Sequence, residues 1–206
     1  MAAAHGVPIQ RDKVALELRG DPPPYHGHMV ALDPAAGQEL RARVAAHHAT
    51  PGFAIKDSFA CLDLARLGLS KMFAAQWFWA DHFAPVAHTG WQHITQPAAL
   101  RVWENAWKAG GSPSDQRQFP DSVLQRADIA FWGRAEGAGF SAGAVLNHSA
   151  DCIGLSNVFG PEVLPGFAHI AAQSGKPIVG YAHGDHLRDV QQAGFTLTGP
   201  LQVWGR

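Results

Sequence analysis

The sequence predicts an α/β fold with a mixed, mostly antiparallel sheet that contains one parallel β-α-β pair and is flanked by helices. Three observations carry this prediction. Hydrophobic residues make up 47% of the 206 positions and charged residues 16%, which is typical of a globular chain. From residue 90 onward, the apolar patterns follow the order β-α-α-β-β-β-α-β-α-β. Near the end of the chain, a helix-ending glycine, Gly194, is followed at once by Phe195, which begins the last predicted strand.

Residues 1–81 predict strands that alternate with two helices. Asp33 and Pro34 start the longer helix, because Asp accepts free amide protons and Pro fits the first helical turn. Leu40 and Val44 lie four residues apart and predict the buried face of this helix. Turns rich in Gly and Pro separate the other segments. The predicted strands are 14–18, 28–32, 53–58 and 69–79, and the predicted helices are 33–48 and 60–67.

Residues 90–206 predict a second unit, which a linker around Pro85 joins to the first. Its first helix carries Leu100, Trp103 and Trp107 on one face. The predicted strands are 91–95, 129–134, 140–146, 152–159, 177–182 and 195–204, and the predicted helices are 97–109, 120–127, 161–174 and 185–193.

The strand order in this second unit predicts its topology. Three consecutive strands from residue 129 to 159 form an antiparallel meander. A helical crossover over 161–174 then leads to strand 177–182. Such a crossover is right-handed and makes strand 177–182 parallel to strand 152–159.

A faint internal repeat relates residues 53–79 to residues 177–204. Both segments follow a longer helix and contain a strand, a short helix, a glycine and a strand with an aromatic end. A true duplication and the general likeness of all β-α-β units both account for the pattern, and the two explanations stay open.

Composition excludes several classes of function. The net charge is −1 and no long basic run occurs, so we expect no nucleic-acid partner. The two cysteines, Cys61 and Cys152, form neither a disulfide framework nor a CxxC zinc motif. Pairs of histidines occur, but no third ligand has suitable spacing, so we expect no metal. No apolar stretch is long enough to span a membrane and no secretory signal is recognisable, so we expect a cytoplasmic protein. The oligomeric state stays open.

The second unit resembles the core of the GNAT superfamily of N-acyltransferases. The resemblance rests on the element order over residues 90–206, on the hairpin formed by 141–146 and 154–159, and on the helix that ends in Gly194-Phe195. It identifies the chain as a divergent member with a GNAT-like core at 90–206. Residues 1–81 resemble the back half of a second such core.

This resemblance implies transfer of an acyl group from acetyl-CoA or another acyl-CoA to an amine of a small molecule. In such a fold the parallel strands splay apart, and a bulged strand offers free amides to the cofactor. The resemblance therefore places the cofactor at Val158, Phe159 and Gly160. It implies a catalytic group in which His183 serves as general base, since histidine titrates near neutral pH. Asn157 and Tyr181 complete that group.

Four further residues are predicted to line the substrate site. Ser156 lies on the bulged strand, and Trp103 represents the aromatic residues that suit an apolar ligand. Lys56 and Asp57 occupy the position of the internal repeat that matches the Tyr181 region.

A second interpretation is a non-catalytic GNAT-like protein that binds a small apolar or aromatic ligand or a protein partner. Pro161, Glu162 and Pro165 occupy the loop that holds the cofactor phosphates in acyl-CoA-binding members, where Pro removes amides and Glu repels phosphate. Val190 stands where those members carry a tyrosine acid. Whether the protein is an enzyme stays open between these interpretations.

Overall fold

A computed structural model describes most of the chain, namely residues 1–81, 90–112, 114–161, 163–164 and 174–206. The chain forms two compact units. Unit 1 comprises Met1–Trp77 and Thr198–Arg206, and unit 2 comprises Phe78–Leu197. The predicted division between residues 81 and 90 stays a prediction.

The described residues contain the following elements. The strands are β1 (Ile9–Arg11), β2 (Ala15–Leu18), β3 (Met29–Ala31), β4 (Ala54–Asp57), β5 (Ser70–Ala80), β6 (Trp91–Ile94), β7 (Ile129–Glu136), β8 (Gly139–His148), β9 (Ile153–Phe159), β10 (Ile178–Ala182) and β11 (Thr196–Gly205). The α-helices are α1 (Gly37–Ala46), α2 (Pro97–Ala109) and α3 (His186–Gln192). Short 3-10 turns occupy Ala2–His5, Pro34–Ala36, Ala65–Leu67 and Asp121–Gln125. None of the helices described is long and apolar enough to cross a membrane.

Most of these elements lie where the sequence predicts them, with three differences. Strand β1 was not predicted, because its three residues are exposed and show no apolar alternation. The helices predicted over 60–67 and 120–127 are wrong, since each segment contains only a 3-10 turn. The helix predicted over 161–174 falls mostly outside the described residues.

The sheet of unit 1 is built around a parallel pair. Its strands follow the order β1-β2-β3-β4-β11-β5. Strands β3 and β4 are parallel, with Met29 opposite Ile55, and α1 lies between them in the chain. The Asp33 carboxylate accepts a hydrogen bond from the Ala35 amide at 2.8 Å and caps the turn that leads into α1. The core consists of apolar side chains from the helix, the strands and the loops: Ala15, Met29, Ala31, Leu40, Val44, Phe53, Ile55, Leu62, Leu64, Leu69 and Trp204.

The sheet of unit 2 confirms the predicted topology. Its strands follow the order β10-β9-β8-β7-β6, with the end of β5 beside β10. Strands β7, β8 and β9 form the antiparallel meander, and β9 is parallel to β10. The predicted mixed, mostly antiparallel α/β fold is therefore confirmed. The pair β3–β4 in unit 1 adds a second parallel pair to the one predicted.

Two apolar layers cover the sheet of unit 2. On the side of α2, Trp103 is fully buried, and its ring lies edge-on to Phe131 with centroids 5.2 Å apart. The other layer contains Val190 of α3 together with Phe195. Phe78 contacts Phe195 edge-on at 4.8 Å between ring centroids and so ties the end of β5 into this layer.

Candidate functional site

The clearest irregularity in unit 2 is the end of the parallel pair β9–β10. The ladder between the two strands ends at the pair Gly154–Val179, although both strands continue. We call the continuations, 155–159 and 180–182, the β9–β10 splay. Strands that run on without pairing to each other present backbone groups that a ligand can satisfy.

A β-bulge lies in the splay at Asn157. Val145 of β8 lies opposite Ser156, whereas Gly143 lies opposite Phe159, so β9 carries one extra residue here. Asn157 has a φ of 52°, in the left-handed region that asparagine tolerates better than most residues. Because a bulge leaves its extra residue out of the ladder, backbone polar groups of β9 become available in the splay.

The three residues predicted to meet the cofactor follow the bulge and differ in exposure. Val158 is 43% exposed, whereas Phe159 is buried against Trp103 with ring centroids 5.1 Å apart. Gly160 has a φ of 82°, and any side chain there would collide with the carbonyl oxygen of Ser141. The structure thus brings the three residues together and offers a ligand mainly the main chain near Val158.

A polar cluster lies beside the bulge. The side-chain amide of Asn147 donates to the Ser156 hydroxyl at 2.9 Å and to the Gly154 carbonyl at 3.2 Å. The Asn157 amide donates to the same hydroxyl at 3.1 Å. Asn147 was not predicted as a site residue. Its position opposite Gly154 depends on the pairing of β8 with β9, and an amide side chain next to a predicted turn was the only available signal.

Tyr181 and His183 lie on the β10 side of the splay. Continuing the ladder register places Tyr181 opposite Ser156. Partial burial raises the pKa of the Tyr181 hydroxyl above its ordinary value. His183 is exposed just after β10, and its ring lies edge-on to that of His186 at 6.4 Å between centroids. His186 in turn lies with Nδ1 3.4 Å from an Asp189 carboxylate oxygen.

The positions that depart from the GNAT pattern are only partly described. Val190 is buried in the core of unit 2, and its aliphatic side chain supplies no proton donor at this position. Val163 is buried in the same core. Glu162 and Pro165, which were predicted to disfavour phosphate, lie outside the described residues. Within the part of the chain that is described, no group of three or more His, Cys, Asp or Glu side chains could hold a metal ion.

Trp103 and the two residues from the N-terminal half make their contacts within their own units. Trp103 has no exposed surface and is a core residue of unit 2. Lys56 and Asp57 belong to unit 1. The Lys56 ammonium lies 5.8 Å from the centroid of the Trp77 ring, and burial lowers its pKa.

Asp57 is fully buried and organises the loop after β4. One carboxylate oxygen accepts from the Leu62 amide at 2.8 Å, and the other accepts from the Phe59 amide at 3.3 Å. These bonds give Asp57 a structural task in unit 1. The predicted substrate contacts of Trp103, Lys56 and Asp57 stay predictions, while Ser156, Asn157, Val158 and Tyr181 are grouped in the splay.

Comparison with known proteins shows similarity of structure only. No protein-family profile and no curated protein sequence matches the chain. A GNAT-family protein from Novosphingobium aromaticivorans superposes with a TM-score of 0.61 at 14% identity, covering 99% of this chain and 93% of that one.

Two further solved structures are similar over nearly the whole chain. A GCN5-related N-acetyltransferase from Kribbella flavida gives a TM-score of 0.57 at 15% identity, covering 99% of this chain and 93% of that one. A conserved protein of unknown function from Staphylococcus epidermidis gives 0.60 at 10% identity, with 96% and 92% covered. At these identities the similarity establishes the fold.

Proposed function

The chain has the GNAT fold, and from this premise we propose that it is an N-acyltransferase that moves an acyl group from acyl-CoA to an amine of a small molecule. One observation carries the proposal. The bulge at Asn157 lies on β9 where β9 no longer pairs with β10, so a backbone amide is available to an extended ligand.

In this proposal the cofactor lies along β9. Bound acyl-CoA would supply an acyl group activated as a thioester. The backbone near Val158 binds the amide-containing arm. The charged end of the cofactor extends past Gly160, where the main chain lies close against β8. The reacting end then lies toward Ser156, at the start of the splay.

His183 takes the proton from the acceptor amine, directly or through a water molecule. Its ring is exposed at the end of β10, so both an amine and solvent can reach it. Tyr181, opposite Ser156, contributes a flat side wall to the acceptor site. The net charge of −1 supports a small-molecule acceptor rather than a nucleic acid.

A second candidate is a GNAT-like protein that binds a ligand without acyl transfer. Two observations favour it. Val190 is buried and aliphatic at the position of the tyrosine acid, and Pro161 lacks the amide that a phosphate-binding loop needs. Loss of a few charge-assisted phosphate bonds, at about 1.5–3 kcal/mol each, would weaken cofactor binding by orders of magnitude.

Calorimetric titration separates the two candidates. We expect acetyl-CoA to bind, and we expect S-acetylpantetheine, which lacks the nucleotide and its phosphates, to bind within about tenfold of it, because the main chain near Val158 contacts the arm. No heat with either compound at about millimolar concentration, with folded protein, would remove the transferase proposal.

A matched pair of histidine variants tests the general base. We expect His183→Ala to lower kcat in an amine acylation assay by about 10²–10³-fold. His186→Ala is the control, because it removes an exposed neighbour three residues away. Equal losses in both variants would assign His183 a structural task instead.

A further inference from the structure

The Ser156 hydroxyl has an unusual hydrogen-bonding state. Its oxygen accepts from the Asn147 amide at 2.9 Å and from the Asn157 amide at 3.1 Å. A hydroxyl oxygen has two lone pairs, so both are occupied. The only remaining capacity of Ser156 is to donate its proton, and no acceptor for that proton lies among the described residues.

The orientation of Asn147 fixes the direction of this bond. The same amide nitrogen contacts the Gly154 carbonyl at 3.2 Å, and a carbonyl oxygen can only accept. The side-chain NH₂ must therefore face both Gly154 and Ser156, because the opposite orientation would set two oxygen atoms against each other. Asn147 thus acts as a donor to Ser156 and leaves the serine proton for a third group.

Ser156 lies at the start of the splay, where the proposed function puts the reacting group. It immediately precedes the bulge at Asn157 and lies opposite Tyr181 in the continued register of the ladder. The side chain is half-buried, so a hydrogen bond to a ligand is only partly exposed to water. The Ser156 hydroxyl can only donate here and has no acceptor among the described residues, so it is placed to donate a hydrogen bond to an oxygen atom of a ligand.

We propose that the Ser156 hydroxyl donates a hydrogen bond to the carbonyl oxygen of the acyl thioester, and that Asn147 is the positioning residue that keeps Ser156 in the donor state. This inference rests on the proposed transferase function. When the amine nitrogen attacks the carbonyl carbon, negative charge collects on the carbonyl oxygen. That electron pair then re-forms the carbonyl bond as the carbon–sulfur bond breaks, and CoA leaves as a thiolate that takes a proton from water. Ser156 keeps its proton throughout and stabilises the charge.

The polarity of the Asn147–Ser156 bond gives a sharp test. In Asn147→Asp, a carboxylate replaces the amide donor and can only accept, so it captures the serine proton. The same carboxylate lies near the Gly154 carbonyl oxygen, and the thermal unfolding described below measures the cost of this repulsion. In Ser156→Ala the donor is absent. Ser141→Ala is the matched control, because it removes a β8 hydroxyl that contacts Arg134 at 3.2 Å and not the Asn147 cluster.

The readout is the infrared stretch of [1-¹³C]acetyl-CoA bound to each variant, since a hydrogen bond to the carbonyl oxygen lowers its frequency. We expect an upward shift in Ser156→Ala and in Asn147→Asp, and none in Ser141→Ala. Thermal unfolding of each variant, measured in parallel, identifies any variant that is misfolded. Ser156→Thr keeps the hydroxyl, so its bound acetyl-CoA should show the wild-type carbonyl frequency.

The outcomes separate this inference from the function on which it rests. If the wild-type protein does not bind acetyl-CoA at about millimolar concentration, both proposals fail. If it binds and the frequency is the same in wild type and Ser156→Ala, the transferase proposal stands and the role of Ser156 is overturned. A shift in Ser156→Ala without one in Asn147→Asp overturns the role of Asn147.

Discussion

The indole nitrogen of Trp103 donates a hydrogen bond to the carbonyl oxygen of Trp132 at 2.8 Å. This bond satisfies the only polar group of a side chain that has no exposed surface. Three phenylalanine rings meet the indole edge-on, at centroid distances of 5.4, 5.2 and 5.1 Å for Phe119, Phe131 and Phe159. The indole therefore links α2 to β7 and β9 and supports the strand that carries the bulge.

Replacing Trp103 should destabilise unit 2 strongly. We expect Trp103→Phe to lower the free energy of unfolding by about 1–3 kcal/mol, because it leaves the Trp132 carbonyl without its donor and a cavity in the core. Trp103→Ala should cost about 3–5 kcal/mol. Urea denaturation measures both. Val102→Ala, a 40% exposed neighbour on the same helix, should change stability by no more than about 0.5 kcal/mol. An unchanged midpoint in Trp103→Phe would contradict this assignment.

Asp57 should be essential to the loop after β4 because it accepts with both carboxylate oxygens. We expect Asp57→Asn to lower the free energy of unfolding by about 1–3 kcal/mol, since an amide keeps one acceptor and turns its NH₂ toward the other buried donor. Asp63→Asn is the control. Asp63 accepts a single bond from the Ala65 amide at 3.1 Å at an exposed position, so its loss should be smaller. If chemical denaturation shows the same loss of unfolding free energy in Asp57→Asn and Asp63→Asn, the burial of Asp57 contributes no additional stability and the prediction is wrong.

The left-handed conformation of Asn157 predicts an order of stabilities. Glycine adopts a φ of 52° without steric cost, whereas alanine pays about 1–2 kcal/mol there. We therefore expect Asn157→Ala to unfold at lower denaturant concentration than Asn157→Gly, which inverts the usual ranking of these residues in a strand. The two variants share the loss of the amide donor to Ser156, so each is the control for the other. The reverse order would mean that the bulge is not maintained in solution.

Acid should destabilise unit 1 through His28. Burial lowers the pKa of His28, and repulsion from His47 adds to the effect. The unfolded chain binds a proton near pH 6.5 and the folded chain resists it, so the free energy of unfolding should fall as pH drops below about 6.5. His28→Gln should flatten this dependence between about pH 7 and 5, whereas substitution of the exposed His48 should not. Urea denaturation curves measured across that pH range test the prediction. If the free energy of unfolding depends on pH equally in the wild type, His28→Gln and the His48 variant, the prediction is wrong.

The spacing of apolar residues was sufficient to predict the elements whose buried side chains repeat at one regular interval. The spacing of Leu100, Trp103 and Trp107 predicts α2 correctly, and all three side chains are buried. The same spacing cannot tell whether a buried tryptophan packs against protein or against a ligand, which is why Trp103 was assigned to a binding site. Strand β1 has no buried residue and exists only because it pairs with β2, and such a strand leaves no apolar pattern in the sequence.

The candidate site was predictable in part for a similar reason. Asn157 and Ser156 could be placed because strand order locates β9 beside β10. The role of Asn147 depends on register, since one position of slip on β8 would turn the amide to the other face of the sheet. The turn between β8 and β9 sets this register by placing His148 opposite Ile153, and the bulge lies farther along the pair, between Val145–Ser156 and Gly143–Phe159.

Thr198–Arg206 completes the sheet of unit 1, where Trp204 lies opposite Ile55 and Arg206 donates to the His47 carbonyl at 2.8 Å. During synthesis on the ribosome, residues 1–77 emerge first but still lack this strand, and the edge of β4 stays unpaired until Thr198–Arg206 has also emerged. Proteins usually fold from the amino terminus as they are made. Here unit 1 cannot complete its sheet until unit 2 has been synthesised, so we expect the amino-terminal strands to stay sensitive to protease for longer than those of a domain that is continuous in the chain.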